Sequence, residues 1–192
     1  MPTTRSVDAT GIAEVVMDNP PVNALTVAGW FELATIVREL GEDPNVRVVV
    51  LRAEGRGFNA GVDIKEMQAT SGFDALIGAN RGCFAAFAAV YECAVPVIAA
   101  VNGYCLGGGI GLAGNADIVI ASEDATFGLP EVKQGALGAA THLSRLVPQL
   151  RDDLVRRHAC FPSARLLSTN ACRARSPAPA RFSSKVNPCS YR

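Results

Sequence analysis

The sequence lacks an excess of charge: over 192 residues, eighteen Lys and Arg offset eighteen Asp and Glu. Without a large positive field, neither nucleic acid nor an anionic membrane is expected as a main partner. No run of about 18 uncharged apolar residues occurs. The longest apolar region, Phe73 to Val101, is interrupted by Asp74, Arg81 and Glu92. The opening residues, Met-Pro-Thr-Thr-Arg-Ser-Val-Asp, offer no apolar core of the kind an export signal needs. Histidine is scarce, at two, and the six cysteines (83, 93, 105, 160, 172 and 189) include no Cys-x-x-Cys pair. A zinc site and a disulfide framework are therefore not expected, and a soluble cytoplasmic protein with reduced thiols is.

What is present is enough apolar material, 49% hydrophobic against 19% charged, for one sizeable core. The neutral total hides an asymmetry. Residues 1–149 carry nine basic and sixteen acidic side chains, whereas 150–192 carry nine basic and two acidic. The second segment also holds eight arginines, half the cysteines and four prolines, with little periodicity. The expected organisation is a folded core over 1–149 and a basic Arg/Ser/Pro-rich tail over 150–192. Two origins fit that tail, a natural disordered extension or a reading frame shifted after codon 149.

Within the core, Ile12 to Asp18 and Val46 to Ala53 are short, rich in β-branched residues and bounded by Gly, Asn and Pro, which predicts strands. Between them, Val27, Trp30, Phe31, Ala34, Val37 and Leu40 recur every three to four residues, the period of a one-faced helix. The same period through Phe73, Leu76, Ile77, Phe84, Phe87 and Tyr91 predicts a longer helix ended by Pro96. Val95 to Val101 and Ile118 to Ala121 read as buried strands around a glycine turn and a short helix. This alternation is an α/β pattern, and no repeat of fixed period is evident.

Three glycine features bear on chemistry. Gly109-Ile-Gly111-Leu-Ala-Gly114 satisfies the dinucleotide pattern G-x-G-x-x-G, but seven residues separate it from the preceding strand and the following helix is too short, so a nicotinamide site is not favoured. Gly107-Gly108-Gly109 reads better as the entrance to a helix whose unpaired N–H groups attract developing negative charge, or as a simple packing turn. Upstream, Phe58-Asn-Ala-Gly61-Val62-Asp63-Ile-Lys-Glu66 places a glycine before a capping Asp63, with Glu66 completing a capping-box-like pair. The N–H groups of Val62 and Gly108 are thus candidates to meet on one oxygen, as acyl-transfer and enolate chemistry requires.

The segments FNAGVDIKEM, PVIAAVNGYCLGGGIGLAGNADIVIASEDATFGLPE and NPPVNAL, in combination, resemble the crotonase or enoyl-CoA hydratase/isomerase superfamily from about Gly11 to Gln149. That resemblance implies a ββα spiral core, an acyl-CoA substrate with CoA as its only cofactor-like part, and a homotrimer. It assigns Val62 and Gly108 as backbone donors of an oxyanion hole and Glu131 as a catalytic carboxylate. It also places Val22, Ala60, Ile64 and Lys65 along CoA.

Hydratases of the family use a first glutamate where this chain has Gly111. One carboxylate suits isomerisation or water-driven carbon–carbon cleavage of a β-dicarbonyl thioester better than hydration, which divides its proton transfers between two. The segments NRGCFAAFAAVYECAVPVIAAVNG and GALGAATHLSRLVPQ further resemble an actinobacterial subgroup that opens the last steroid rings. The C-terminal helices of the family have no counterpart after Gln149, so the alternative is an impaired remnant that binds CoA or joins intact homologues. Asp63 is expected to cap rather than catalyse, Asn23 to bond loop backbone, Tyr104 and Cys105 to pack or line the acyl pocket, and His142 to serve packing or the surface.

Overall fold

The computed structural model describes residues 3–70 and 72–131, together with the backbone of 160–161. Strand β1 (Thr3–Val7) pairs antiparallel with β2 (Ile12–Met17), and the chain then enters helix α1 (Val27–Glu42), capped at its start by the Thr26 side chain. There follow β3 (Val48–Ala53), β4 (Gly57–Asn59), α2 (Ile64–Ala69), α3 (Asp74–Tyr91), β5 (Val97–Val101), β6 (Tyr104–Leu106), α4 (Gly108–Asn115), β7 (Ile118–Ala121), β8 (Thr126–Gly128) and β9 (Cys160–Phe161).

From β3 onward each turn of the chain lays one strand in each of two sheets, whereas β1 and β2 both lie in the first. A five-stranded sheet has the order β1-β2-β3-β5-β7, parallel from β2 onward, and a second has the order β4-β6-β8-β9. In the second sheet β4, β6 and β8 are parallel, and β9 adds antiparallel to β8. This is the ββα spiral that the motifs imply. The three-residue strands β4, β6 and β8 are too short to carry a periodicity, so the second sheet leaves almost no trace in the sequence.

Alternation along β2, β3 and β5 sends Ala13, Val15, Met17, Val49, Leu51, Val97, Ala99 and Val101 into the core. Trp30, Leu33, Ile36, Val37 and Leu40 of α1 meet the same core. Helix α3 departs from expectation. Its large apolar residues Phe73, Leu76, Ile77, Phe84 and Tyr91 face outward, and the buried stripe is Ala75, Ala79, Gly82, Ala86, Phe87, Ala89 and Val90. Small residues win that face because α1 packs closely there: a Cβ on Gly82 would lie 2.8 Å from the Trp30 Cβ, and one on Gly78 would lie 3.1 Å from Val27. Interhelical distance is set by the side chains at the crossing. Phe31, predicted to face the core, is likewise exposed.

The G-x-G-x-x-G match lies inside α4 and serves packing. A Cβ on Gly109 would sit 2.6 Å from the Asn59 carbonyl oxygen, and one on Gly111 would sit 2.2 Å from Cζ of Phe87. The Phe87 ring in turn meets Trp30 edge-on, with centroids 5.7 Å apart. A side chain at 111 therefore has no space without moving Phe87. Gly111→Ala is expected to destabilise the fold by about 1–3 kcal/mol, measured by urea denaturation, with Phe87→Leu recovering part of the loss in the double variant. An unchanged midpoint in Gly111→Ala would show that this contact is not tight.

Candidate functional site

The site forms where the start of α4 meets the loop between β4 and α2. Asn23 begins it: its side chain accepts from the Asn19 N–H at 2.7 Å and donates to the carbonyls of Glu54 at 2.7 Å and Gly57 at 2.8 Å. Backbone bonding is the role its sequence position suggests. The backbone of Leu25 then stitches this loop to the next, its N–H donating to Gly61 O and its carbonyl accepting from Asp63 N, both at 2.9 Å. The Tyr104 hydroxyl ties the same loop to β6 by donating to the Pro21 carbonyl at 3.2 Å. Cys105 next to it is wholly buried and its thiol is pushed up by desolvation, which makes it core material rather than a nucleophile.

Gly61, at φ +89°, adopts a backbone that side chains rarely take. Its N–H donates to Oδ1 of Asn59 at 2.8 Å, and its carbonyl is the acceptor for Leu25. A trans peptide points the next N–H opposite to that carbonyl, so the Val62 N–H faces away from the Leu25 side. Val62 N–H donates to no described residue, and neither does that of Gly108, the first residue of α4. The two segments touch: a Cβ on Gly61 would lie 3.2 Å from the Gly108 nitrogen, and one on Gly108 would lie 3.3 Å from the Gly61 Cα.

Glu131 completes the cluster. It follows β8, and its Oε2 and Oε1 lie 3.3 and 3.4 Å from where a Cβ on Gly107 would be. Gly107 is held to β8 by its own N–H, which donates to Gly128 O at 3.0 Å. The Oε2 atom is buried and makes no hydrogen bond to a described residue. Desolvation raises the carboxyl above the ordinary glutamate value, against a smaller lowering by its own backbone N–H. The structure thus brings Val62, Gly108 and Glu131 into one neighbourhood, all half-buried.

Val22, Ile64 and Lys65 are by contrast exposed, and Ala60 is half-buried. Ala60, Ile64 and Lys65 flank Val62, while Val22 belongs to the loop that Leu25 joins to it. Asp63 caps α2 as expected, accepting from Lys65 N at 2.8 Å and Glu66 N at 3.4 Å. Glu66 does not complete a capping box. Its carboxylate accepts from Val27 N at 2.7 Å, at the start of α1, where unpaired N–H groups favour an anion. His142 lies outside the described residues. Asn59 is not singled out from the sequence, although an Asn two residues before a Gly is a recognisable signal for a side-chain-closed turn, and Trp30 reads there only as part of the apolar face of α1.

Residues 8–163 match the Enoyl-CoA hydratase/isomerase family, and the chain belongs to that family. It is 70% identical over 149 residues to a Mycobacterium tuberculosis protein named (7aS)-7a-methyl-1,5-dioxo-2,3,5,6,7,7a-hexahydro-1H-indene-carboxyl-CoA hydrolase, the match covering 78% of this chain and 60% of the relative. The protein of the same name from Rhodococcus jostii is 69% identical over 146 residues, covering 76% and 57%. Among solved structures, an enoyl-CoA hydratase from Bacillus anthracis superposes with a TM-score of 0.74 at 27% identity, over 90% of this chain and 67% of that one. The chain thus spans about 60% of the length of the hydrolases it resembles.

Because burial raises Glu131, the folded state holds this proton more tightly than the unfolded chain. Ionisation therefore costs stability. The cost is absent below the unfolded pKa, grows as pH rises through the folded pKa, and is constant above it. Glu131→Gln should raise the denaturation midpoint relative to wild type at neutral pH, with the gain vanishing in acid. A gain that persists below the unfolded pKa, or none at neutral pH, would contradict the burial argument.

Proposed function

We propose that this chain is an acyl-CoA enzyme that works through a thioester enolate, with the N–H groups of Val62 and Gly108 as donors to the thioester oxygen and Glu131 as the proton-transferring group. The observation that carries the reading is a carboxyl with a buried, unpartnered oxygen beside two adjacent backbone segments whose N–H groups are both unengaged. Donors of this type, aimed at developing charge in a site that excludes water, contribute about 3–4 kcal/mol each to the transition state. Val22, Ala60, Ile64 and Lys65 lie along CoA in this reading, with the Lys65 ammonium toward phosphate, and CoA enters as part of the substrate.

The reaction we favour is hydrolytic carbon–carbon cleavage of a cyclic β-oxo acyl thioester derived from a steroid ring system. It accords with the names of the relatives at 70% and 69% identity, which contain two ring ketones and a carboxyl-CoA. Glu131 takes a proton from water as the oxygen adds to the ring carbonyl. The bond from that carbon to the thioester α-carbon breaks, and its electron pair passes into the thioester as an enolate held by the two N–H groups. Glu131 returns its proton to the α-carbon, leaving a carboxylic acid and an opened thioester. One carboxyl suffices because it first accepts and then donates the same proton. The lack of space at Gly111 supports the same choice, since a second carboxylate cannot be accommodated there without displacing Phe87.

Glu131→Gln should lower ring-opening turnover by about 10²–10⁴-fold while CoA binding is retained, because the amide keeps its size and loses the basic oxygen. Wild type should open bicyclic β-oxo carboxyl-CoA esters faster than it hydrates crotonyl-CoA. The acid limb of its pH profile should lie above the ordinary glutamate value. Bound CoA without turnover of any thioester would overturn the enzymatic reading, and unchanged turnover in Glu131→Gln would remove that residue from the reaction.

A further inference from the structure

Val62 and Gly108 belong to different elements, and something must fix the spacing between their N–H groups to a fraction of an ångström if both are to serve one oxygen. The side chain that reaches both elements is Asn59, the last residue of β4. It is wholly buried. Its Oδ1 accepts from the Gly61 N–H at 2.8 Å, and its Nδ2 donates to the Asn23 carbonyl. On the other side, the position of a Cβ on Gly109 lies 2.6 Å from the Asn59 backbone oxygen and 3.2 Å from its Cβ, so the first turn of α4 rests directly on this residue.

We infer that Asn59 is a positioning residue: it clamps the Gly61 turn through its amide while its backbone and Cβ support α4, and so holds the Val62 and Gly108 N–H groups at a common spacing. This rests on the reading of those two groups as donors to the thioester oxygen. Gly61 is held from both sides, by Asn59 at its N–H and by Leu25 at its carbonyl. Removing the first hold frees the peptide to rotate about φ and leaves a buried N–H unpaired. The amide is wholly buried and bonded to Asn23 and Gly61, so its loss acts on the transition state through Val62, with little effect on CoA.

The test uses the full 192-residue chain and a dimethylaminocinnamoyl-CoA ester, whose absorption moves to the red as its thioester carbonyl is polarised. Wild type should shift the probe on binding. Asn59→Ala should lose most of that shift and about 10-fold in turnover, part of the 10²–10³ for losing a donor outright, with unchanged affinity for CoA. Asn59→Ser, whose hydroxyl can still accept from Gly61, should keep most of the shift. A full shift in Asn59→Ala overturns the inference and leaves the donor reading standing, whereas no shift in wild type overturns both. A folded Asn59→Ser variant without the shift would also overturn it, so the outcome does not depend on Asn59→Ala folding. Folding of each variant is read from the fluorescence of Trp30, the single tryptophan.

Discussion

The contact on which this molecule turns is the one between Gly61 and Gly108. Two backbone segments from different turns of the spiral approach until a single added carbon on either would touch the other, at 3.2 and 3.3 Å. No side chain intervenes, and at Gly61 the positive φ excludes most residues in any case. The Val62 and Gly108 N–H groups beside this contact donate to no described residue. Next to it, Oε2 of Glu131 is buried with no described partner, and desolvation raises the carboxyl above the ordinary glutamate value.

The rest of the described structure can be traced outward from that contact. Trp30 of α1 reaches the place where Gly108 lacks a side chain, with Cη2 and Cζ2 2.8 Å from a Cβ there. Phe87 of α3 meets Trp30, and Gly111 of α4 receives Phe87. Three helices are therefore locked through one chain of aromatic and glycine contacts that ends at Gly108. On the opposite side, the amides of Asn23 and Asn59 carry the loop contacts into the second sheet. Apolar packing sets where α4 begins, and buried amides set how the β4–α2 loop is turned. Neither set alone brings the segments together.

Much of this was legible in the sequence. Strands β2, β3, β5 and β7 and helices α1 and α3 appear within a few residues of their expected bounds, because their apolar residues repeat over enough length to reveal a period. The second sheet did not, since β4, β6 and β8 have three residues each. The outward orientation of α3 was missed because size misled: Phe84 and Tyr91 are more hydrophobic than Ala79 and Gly82, yet only the small residues allow the approach to α1. Family motifs directed attention to Val62, Gly108 and Glu131. Asn59 drew none and Trp30 only as a member of an apolar helix face, because their roles here lie in neighbours 36 and 78 positions away, Asn23 and Gly108, rather than in any local pattern.

The central claim is that the two unengaged N–H groups serve one substrate oxygen. It is tested most directly by a crystal structure of this chain with acetoacetyl-CoA, a β-oxo thioester. The account predicts the thioester oxygen about 3 Å from both the Val62 and Gly108 nitrogens, with the Glu131 carboxyl over the α-carbon. A thioester oxygen bound elsewhere, with either nitrogen bonded to protein or water instead, would contradict it.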